Sequence, residues 1–133
     1  DHDGDTDLLV AAQEDGGGLV FMVEAVQDGI FKQHPRTICD SSPVKGARTL
    51  EVEDIDKDGD EDIFVGGTNG VTLLENNGFN NFAVSTDVDG KDDVLTSDIE
   101  LSDLDNDGDM DVIATFYTEG SVVVYGIEEG ESA

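Results

Sequence analysis

The sequence predicts an all-β protein built from about two and a half four-stranded antiparallel sheets. A nine-residue acidic pattern, D-x-D-x-D-G-D-x-D, occurs in full over 54–62 and over 103–111, and its last seven positions occur over 1–7. Each copy is followed by a short apolar run, and the runs before the full copies alternate with a period of two; no stretch has helical periodicity. Glycine, 16 of 133 residues, falls between the runs, where tight turns need it. Asp3, Asp58 and Asp107 hold the same place in their loops, so the pattern repeats about every 50 residues.

The elements follow in order. Leu50-Glu-Val52-Glu-Asp54-Ile55 and Ile99-Glu-Leu101-Ser-Asp103-Leu104 alternate as half-buried strands entering the two full loops. Call these strands A. Strand B leaves each loop, over 6–13, 62–68 and 110–118. A turn then follows, at Asp15-Gly16-Gly17-Gly18, Asn69-Gly70 or Glu119-Gly120. Asn-Gly between two apolar runs predicts a hairpin because both residues tolerate positive φ. Strand C spans 19–26, 71–75 and 122–125. In the first two repeats Gln27-Asp28-Gly29 or Asn76-Asn77-Gly78 turns the chain into strand D, over 31–38 and 79–85.

The order is therefore B–C–D, A–B–C–D, A–B–C. It gives one repeat module over 1–133, with a partial unit at 1–45, a complete unit at 46–93 and a partial unit at 94–133. Four antiparallel strands in about 50 residues make one β-propeller blade, and a closed propeller uses about four to eight. This chain is too short to close a ring alone. Three continuations are open: a longer propeller, assembly with copies of itself, or an open stack. The unpaired edges would then pair with missing blades or with other chains.

The acidic loops carry the chemistry. Two carboxylates about 5 Å apart repel by ~3 kcal/mol at an effective dielectric of about 20. A hard cation taking six to eight oxygens relieves this, and Ca²⁺ fits. Aspartates at loop positions 1, 3 and 5 can turn toward one centre. Glycine at position 6 allows the sharp bend, position 7 offers its carbonyl, and position 9 closes the shell. An EF-hand starts alike but needs Glu at position 12 and flanking helices. Here that position holds Val10, Val65 or Ala114, each in a β-type run.

These loops, the strands after them and the Leu74-Glu-Asn-Asn-Gly78…Phe82 segment resemble FG-GAP or VCBS repeats, the blades of integrin α-subunit propellers and of many secreted microbial and algal proteins. The resemblance implies Ca²⁺ loops bridging strands A and B, with a structural role. It implies side-chain ligands Asp54, Asp56, Asp58 and Asp62 with the Asp60 carbonyl, and Asp103, Asp105, Asp107 and Asp111 with the Asp109 carbonyl. In the truncated loop it leaves Asp1, Asp3, the Asp5 carbonyl and Asp7.

Composition excludes several classes. With 6 Lys plus Arg against 33 Asp plus Glu, the net charge is −27, which argues against nucleic acid and anionic membranes as partners. Four acids lie in 1–7, six in 54–62 and five in 103–111, so much of the charge lies outside the loops. Cys39 is the single cysteine, which excludes an intrachain disulfide in this stretch; a small apolar strand position is expected for it. No run reaches the ~18 apolar residues of a membrane helix. The chain opens on Asp1 inside a loop, so its translated start is expected upstream and the lack of a signal peptide is uninformative.

His2 and His34 have no nucleophile motif beside them, and the aspartate pairs belong to loops that keep them ionised. The Gly16-Gly17-Gly18 run does not precede a helix, so it is no phosphate loop. Asp87-Val-Asp89-Gly90-Lys-Asp92-Asp93 reads as a solvated inter-blade connection, and the aromatics, mostly on strands, as blade-to-blade core. The expectation is a non-enzymatic, Ca²⁺-stabilised structural or adhesion module of an extracellular or cell-surface protein. Its protein or glycan ligand is not specified. The alternatives are a lectin-like propeller and a subunit of a self-assembling extracellular filament.

Overall fold

The computed structural model describes residues 4–14, 17–27, 29–40, 44–78, 81–88 and 93–126. Among them are no helices and twelve strands: β1 (Leu8–Glu14), β2 (Gly17–Val23), β3 (Ala25–Gln27), β4 (Ile30–Phe31), β5 (Arg36–Asp40), β6 (Thr49–Glu53), β7 (Asp62–Gly67), β8 (Gly70–Asn76), β9 (Phe82–Asp87), β10 (Thr96–Ser102), β11 (Asp111–Phe116) and β12 (Ser121–Tyr125). The sheets have strand orders β1-β2-β5, β6-β7-β8-β9 and β10-β11-β12, with a two-stranded ribbon β3-β4. Every pairing is antiparallel. The middle sheet is a whole A–B–C–D blade. The first has strands B, C and D, and the third has A, B and C among the described residues, as the spacing predicts.

The register repeats between blades. Leu8 pairs with Val23, Ile63 with Leu74, and Val112 with Tyr125. Because side chains alternate along a strand, equal register puts equivalent residues on equivalent faces. Leu9, Ala11 and Val20 of the first sheet pack with Ile63, Val65 and Leu74 of the second. Phe64, Val71 and Leu73, on the second sheet's other face, pack with Ile99, Val112, Ala114 and Phe116 of the third. Leu9 and Val20 occupy the register positions of Phe64 and Val71. Each blade therefore seats the same face on the next one. The middle blade is covered on both sides, which is why every residue of β7 is buried.

Backbone hydrogen bonds lace each connector to two hairpins. The Val44 carbonyl accepts from Gly18 N–H at 3.2 Å, and the Lys45 carbonyl accepts from Thr68 N–H at 2.7 Å. Between the second and third blades the Val94 carbonyl accepts from Gly70 N–H at 3.0 Å, and the Leu95 carbonyl from Tyr117 N–H at 2.8 Å. Such close passage needs glycine. A Cβ on Gly67 would lie 2.2 Å from the Lys45 carbonyl oxygen, and one on Gly66 would lie 2.5 Å from Thr49 Cγ2 and 2.7 Å from Thr96 Cγ2.

Strand D of the first repeat departs from the expected 31–38. Gly29, at φ 75°, reverses the chain so that Ala25–Gln27 and Ile30–Phe31 form their own ribbon. Lys32 N–H donates to the Glu24 carbonyl at 2.8 Å, and the Lys32 and Glu24 side chains pair. Pro35 offers no N–H to a ladder, and pairing with β2 begins at Arg36. The Asn69-Gly70 hairpin also differs in detail. Its turn is Thr68–Asn69, only Gly70 has positive φ (83°), and Asn69 Oδ1 instead accepts Lys45 N–H at 3.0 Å. Cys39 is buried, as expected. Phe64 and Phe116 are core, whereas Phe31 and Tyr117 are exposed, at 43% and 77%. Phe79, and 89–92 of the expected inter-blade connection, lie outside the described residues.

Candidate metal centres

Strands β6 and β10 deliver the chain into the two full loops, and β7 and β11 carry it away. The loops share one backbone conformation. Position 4 is left-handed in both, at Lys57 (φ 59°) and Asn106 (φ 65°), and so is the position-6 glycine, at Gly59 (φ 98°) and Gly108 (φ 97°). Gly4, at the same place in the truncated loop, has φ 94°. Two left-handed residues in three coil the chain tightly, with its N–H groups turned toward the carboxylates.

In the second loop Asp58 N–H donates to Asp56 Oδ1 at 3.1 Å, Gly59 N–H to Asp54 Oδ2 at 3.0 Å, and Asp60 N–H to Asp58 Oδ1 at 2.9 Å. The third loop repeats this: Asp107 N–H donates to Asp105 Oδ1 at 3.1 Å, Gly108 N–H to Asp103 Oδ2 at 3.1 Å, and Asp109 N–H to Asp107 Oδ1 at 2.9 Å. Positions 1, 3 and 5 thus converge. One oxygen each from Asp54, Asp56 and Asp58, and likewise from Asp103, Asp105 and Asp107, lie within 4.8 Å of one another.

The donor set fits a hard cation. Asp54 Oδ1 is buried and has no hydrogen-bond partner, and a carboxylate oxygen removed from water without a partner is costly. An ion among the three carboxylates would satisfy it. Asp105 is shifted toward the protonated form: the Asp107 N–H draws it down, but desolvation, the charges of Asp107 and Asp111, and a side-chain hydrogen bond with Asp107 together outweigh that.

Position 9 has a second task. Asp62, 1% exposed, accepts Asn76 N–H on Oδ1 at 2.7 Å and Ile55 N–H on Oδ2 at 3.2 Å. It ties the loop's entry to the far end of β8. Asp111 Oδ2 accepts Leu104 N–H at 2.9 Å, and Asp7 Oδ1 accepts Ala25 N–H at 2.8 Å, where Ala25 holds the register position of Asn76. Burial raises the Asp62 pKa; the Asn76 and Ile55 N–H groups oppose this, and the charges of Asp56 and Asp58 add to it. From the loop pattern alone, position 9 is expected only to bind metal. Its latch depends on register, which the loop pattern does not encode.

Two further residues escaped the sequence reading. Lys57 Nζ reaches Asp109 Oδ1 at 2.6 Å, joining the second loop to the third. Asn76 Nδ2 donates to the Glu61 carbonyl at 3.2 Å. The signal for Lys57 was present, as it is the one lysine or arginine in the three acidic loops. Asp1, Asp3 and His2 lie outside the described residues, so of the truncated loop's expected ligands only Asp5 and Asp7 are placed; His34 is exposed.

The model of the FG-GAP-like repeat matches this chain twice, over residues 1–65 and 54–114. The chain belongs to the FG-GAP-like repeat family. Each match runs from one acidic loop through the next, the first from 1–7 through 54–62 and the second from 54–62 through 103–111. The second ends within β11 of the third blade. No curated protein and no solved structure is matched. FG-GAP-like repeats are extracellular structural or adhesion modules as a rule, and among the described residues no helix is long and apolar enough to cross a membrane.

Proposed function

We propose that this FG-GAP-like chain is a Ca²⁺-stabilised, non-enzymatic structural or adhesion module of an extracellular or cell-surface protein. The supporting observation is the convergence of Asp54, Asp56 and Asp58, and of Asp103, Asp105 and Asp107, together with the buried Asp54 Oδ1 of the second loop, which has no hydrogen-bond donor. In each full loop these three side chains would hold the ion, joined by the carbonyl of Asp60 or Asp109 and by a free lone pair of Asp62 or Asp111. Ca²⁺ supplies charge neutralisation and no chemistry of its own here.

The mechanism is linkage. Ca²⁺ binds the folded loop far better than the unfolded chain, so each site stabilises by RT ln(1 + [Ca]/Kd). Extracellular sites have Kd near ~10⁻⁴–10⁻³ M, and at about tenfold excess each contributes ~1.4 kcal/mol. Cytosolic Ca²⁺ would leave such sites empty, which supports placing the protein outside the cell. Terbium luminescence tests the sites: Tb³⁺ should bind in both full loops and be displaced by millimolar Ca²⁺. Absence of displaceable binding would reject the reading.

One observation favours a second reading, glycan binding. A cleft of ≈ 800 Å³ between the first two blades is lined by polar Asp7, Asp54 and Glu61 and apolar Met22, Val52 and Phe82. A glycan array separates the two readings.

A further inference from the structure

The chain carries two Asn-Gly pairs, Asn69-Gly70 and Asn77-Gly78, one at each end of β8. Asparagine before glycine is open to self-reaction, because glycine has no Cβ to shield its amide nitrogen from the preceding side chain. The fold treats the two pairs differently. Gly70 is buried, and its N–H donates to the Val94 carbonyl at 3.0 Å. Asn69 Oδ1 accepts Lys45 N–H at 3.0 Å. Both reacting groups of the first pair are thus occupied by the connectors to the neighbouring blades. The Asp-Gly pairs of the full loops are locked in a similar way: Gly59 N–H is held by Asp54 at 3.0 Å and Gly108 N–H by Asp103 at 3.1 Å.

Asn77-Gly78 is not locked. Asn77 is exposed in the turn from β8 to β9, and Gly78 is left-handed at φ 86°. Two backbone bonds close the turn: Asn77 N–H donates to the Asn81 carbonyl at 3.2 Å, and Asn81 N–H to the Gly78 carbonyl at 3.2 Å. Among the described residues neither the Gly78 N–H nor the Asn77 side-chain amide has a hydrogen-bond partner. We infer that Asn77 is a site of spontaneous modification, where the folded chain converts the side-chain amide to a carboxylate while Asn69 persists. Water is the one co-reactant. The Gly78 amide nitrogen gives its proton to solvent base and bonds to Asn77 Cγ. The Cγ–Nδ2 bond breaks, and Nδ2 takes up a proton and leaves as ammonia. Water then opens the five-membered imide at either carbonyl. One opening gives aspartate; the other gives isoaspartate, whose main chain is longer by a methylene. Either product adds a negative charge to a chain already at −27. It does so beside the second acidic loop. Asn76 holds Asp62 and the Glu61 carbonyl, and a Cβ on Gly78 would lie 3.4 Å from Asp60 Oδ2. Isoaspartate at 77 lengthens the main chain next to that latch and loosens it.

The test incubates the whole chain at mildly alkaline pH, both folded and in guanidinium chloride, and follows each asparagine by peptide mass spectrometry. The Asn77→Gln variant is aged beside it, and both are melted in chelator, so the outcome does not depend on Ca²⁺. Asn69 must wait for its turn to open, so in the folded chain Asn77 should convert faster by about tenfold or more. In guanidinium chloride the two should convert at similar rates. The aged native chain should contain isoaspartate at 77 and melt below the aged variant. Asn69 converting as fast as Asn77 in the folded chain overturns the proposal, and so does an Asn77 that converts only when unfolded. A preference for Asn77 that persists undiminished in denaturant overturns it too, because local sequence and not the fold then sets the difference. A converted chain that melts like the variant overturns the effect on the latch.

Discussion

At the scale of single residues, the aspartates of one loop divide their labour. Asp54, Asp56 and Asp58 face a common centre, while Asp62 holds the loop to β8. The division is testable by substitution. Asp56→Asn should weaken Ca²⁺ binding at the second loop by about tenfold or more, because ligand charge sets affinity. In chelator the same change should cost nothing, since it removes repulsion. Asp62→Asn should destabilise the protein by about 1.5–3 kcal/mol even in chelator, because it turns one acceptor of a buried backbone N–H into a donor. Urea melts of both variants, each with Ca²⁺ and with chelator, compare the two directly.

Glu51, on β6, gives a pH prediction outside the loops. Burial raises its pKa, and the charges of Glu100 and Asp98 raise it further. The folded chain therefore binds this proton more readily than the unfolded chain, so stability gains as pH falls through the range just above the ordinary glutamate value and is lost as pH rises. In chelator, melting temperature should rise on going from about pH 7 to about pH 5, and Glu51→Gln should flatten the rise. With Ca²⁺ present protons compete for the loop carboxylates, and the trend should reverse.

At the scale of elements, glycine spacing decides how closely blades approach. A methyl group on Gly67 would meet the Lys45 carbonyl at 2.2 Å, and backbone cannot swing aside as a side-chain tip can. Gly67→Ala should cost about 1–3 kcal/mol or more, measured by thermal melting, whereas Gly120→Ala has open space and only its φ of 61° to oppose it. Here too the limits of sequence reading show. The loops, strands B and C and the whole middle blade were legible because their signals are local: aspartate spacing, alternation and turn glycines. Strand D of the first repeat was not, because Ile30 and Phe31 look like strand residues whichever partner they take. Their partner is β3, a choice made by Gly29 and Pro35 together. The Asp62 latch and the Lys57–Asp109 bridge depend on which strands and loops become neighbours, and no single segment encodes that.

For the whole molecule, the governing balance is between a charge of −27 and two modest cores, one at each blade interface. The bridge between Lys57 and Asp109 is partly exposed and offsets little of that charge. Two Ca²⁺ ions in the full loops would contribute ~3 kcal/mol at about tenfold excess over Kd, a large share of a typical ~5–15 kcal/mol stability. That corresponds to a rise of about 10 °C in melting temperature. Calorimetric titration with Ca²⁺, paired with melts before and after chelation, decides whether the aspartate loops serve this end. Two ions bound per chain, with a melt that falls by about this amount in chelator, is the expected result; a folded chain that takes up no Ca²⁺ and melts identically in chelator would contradict it.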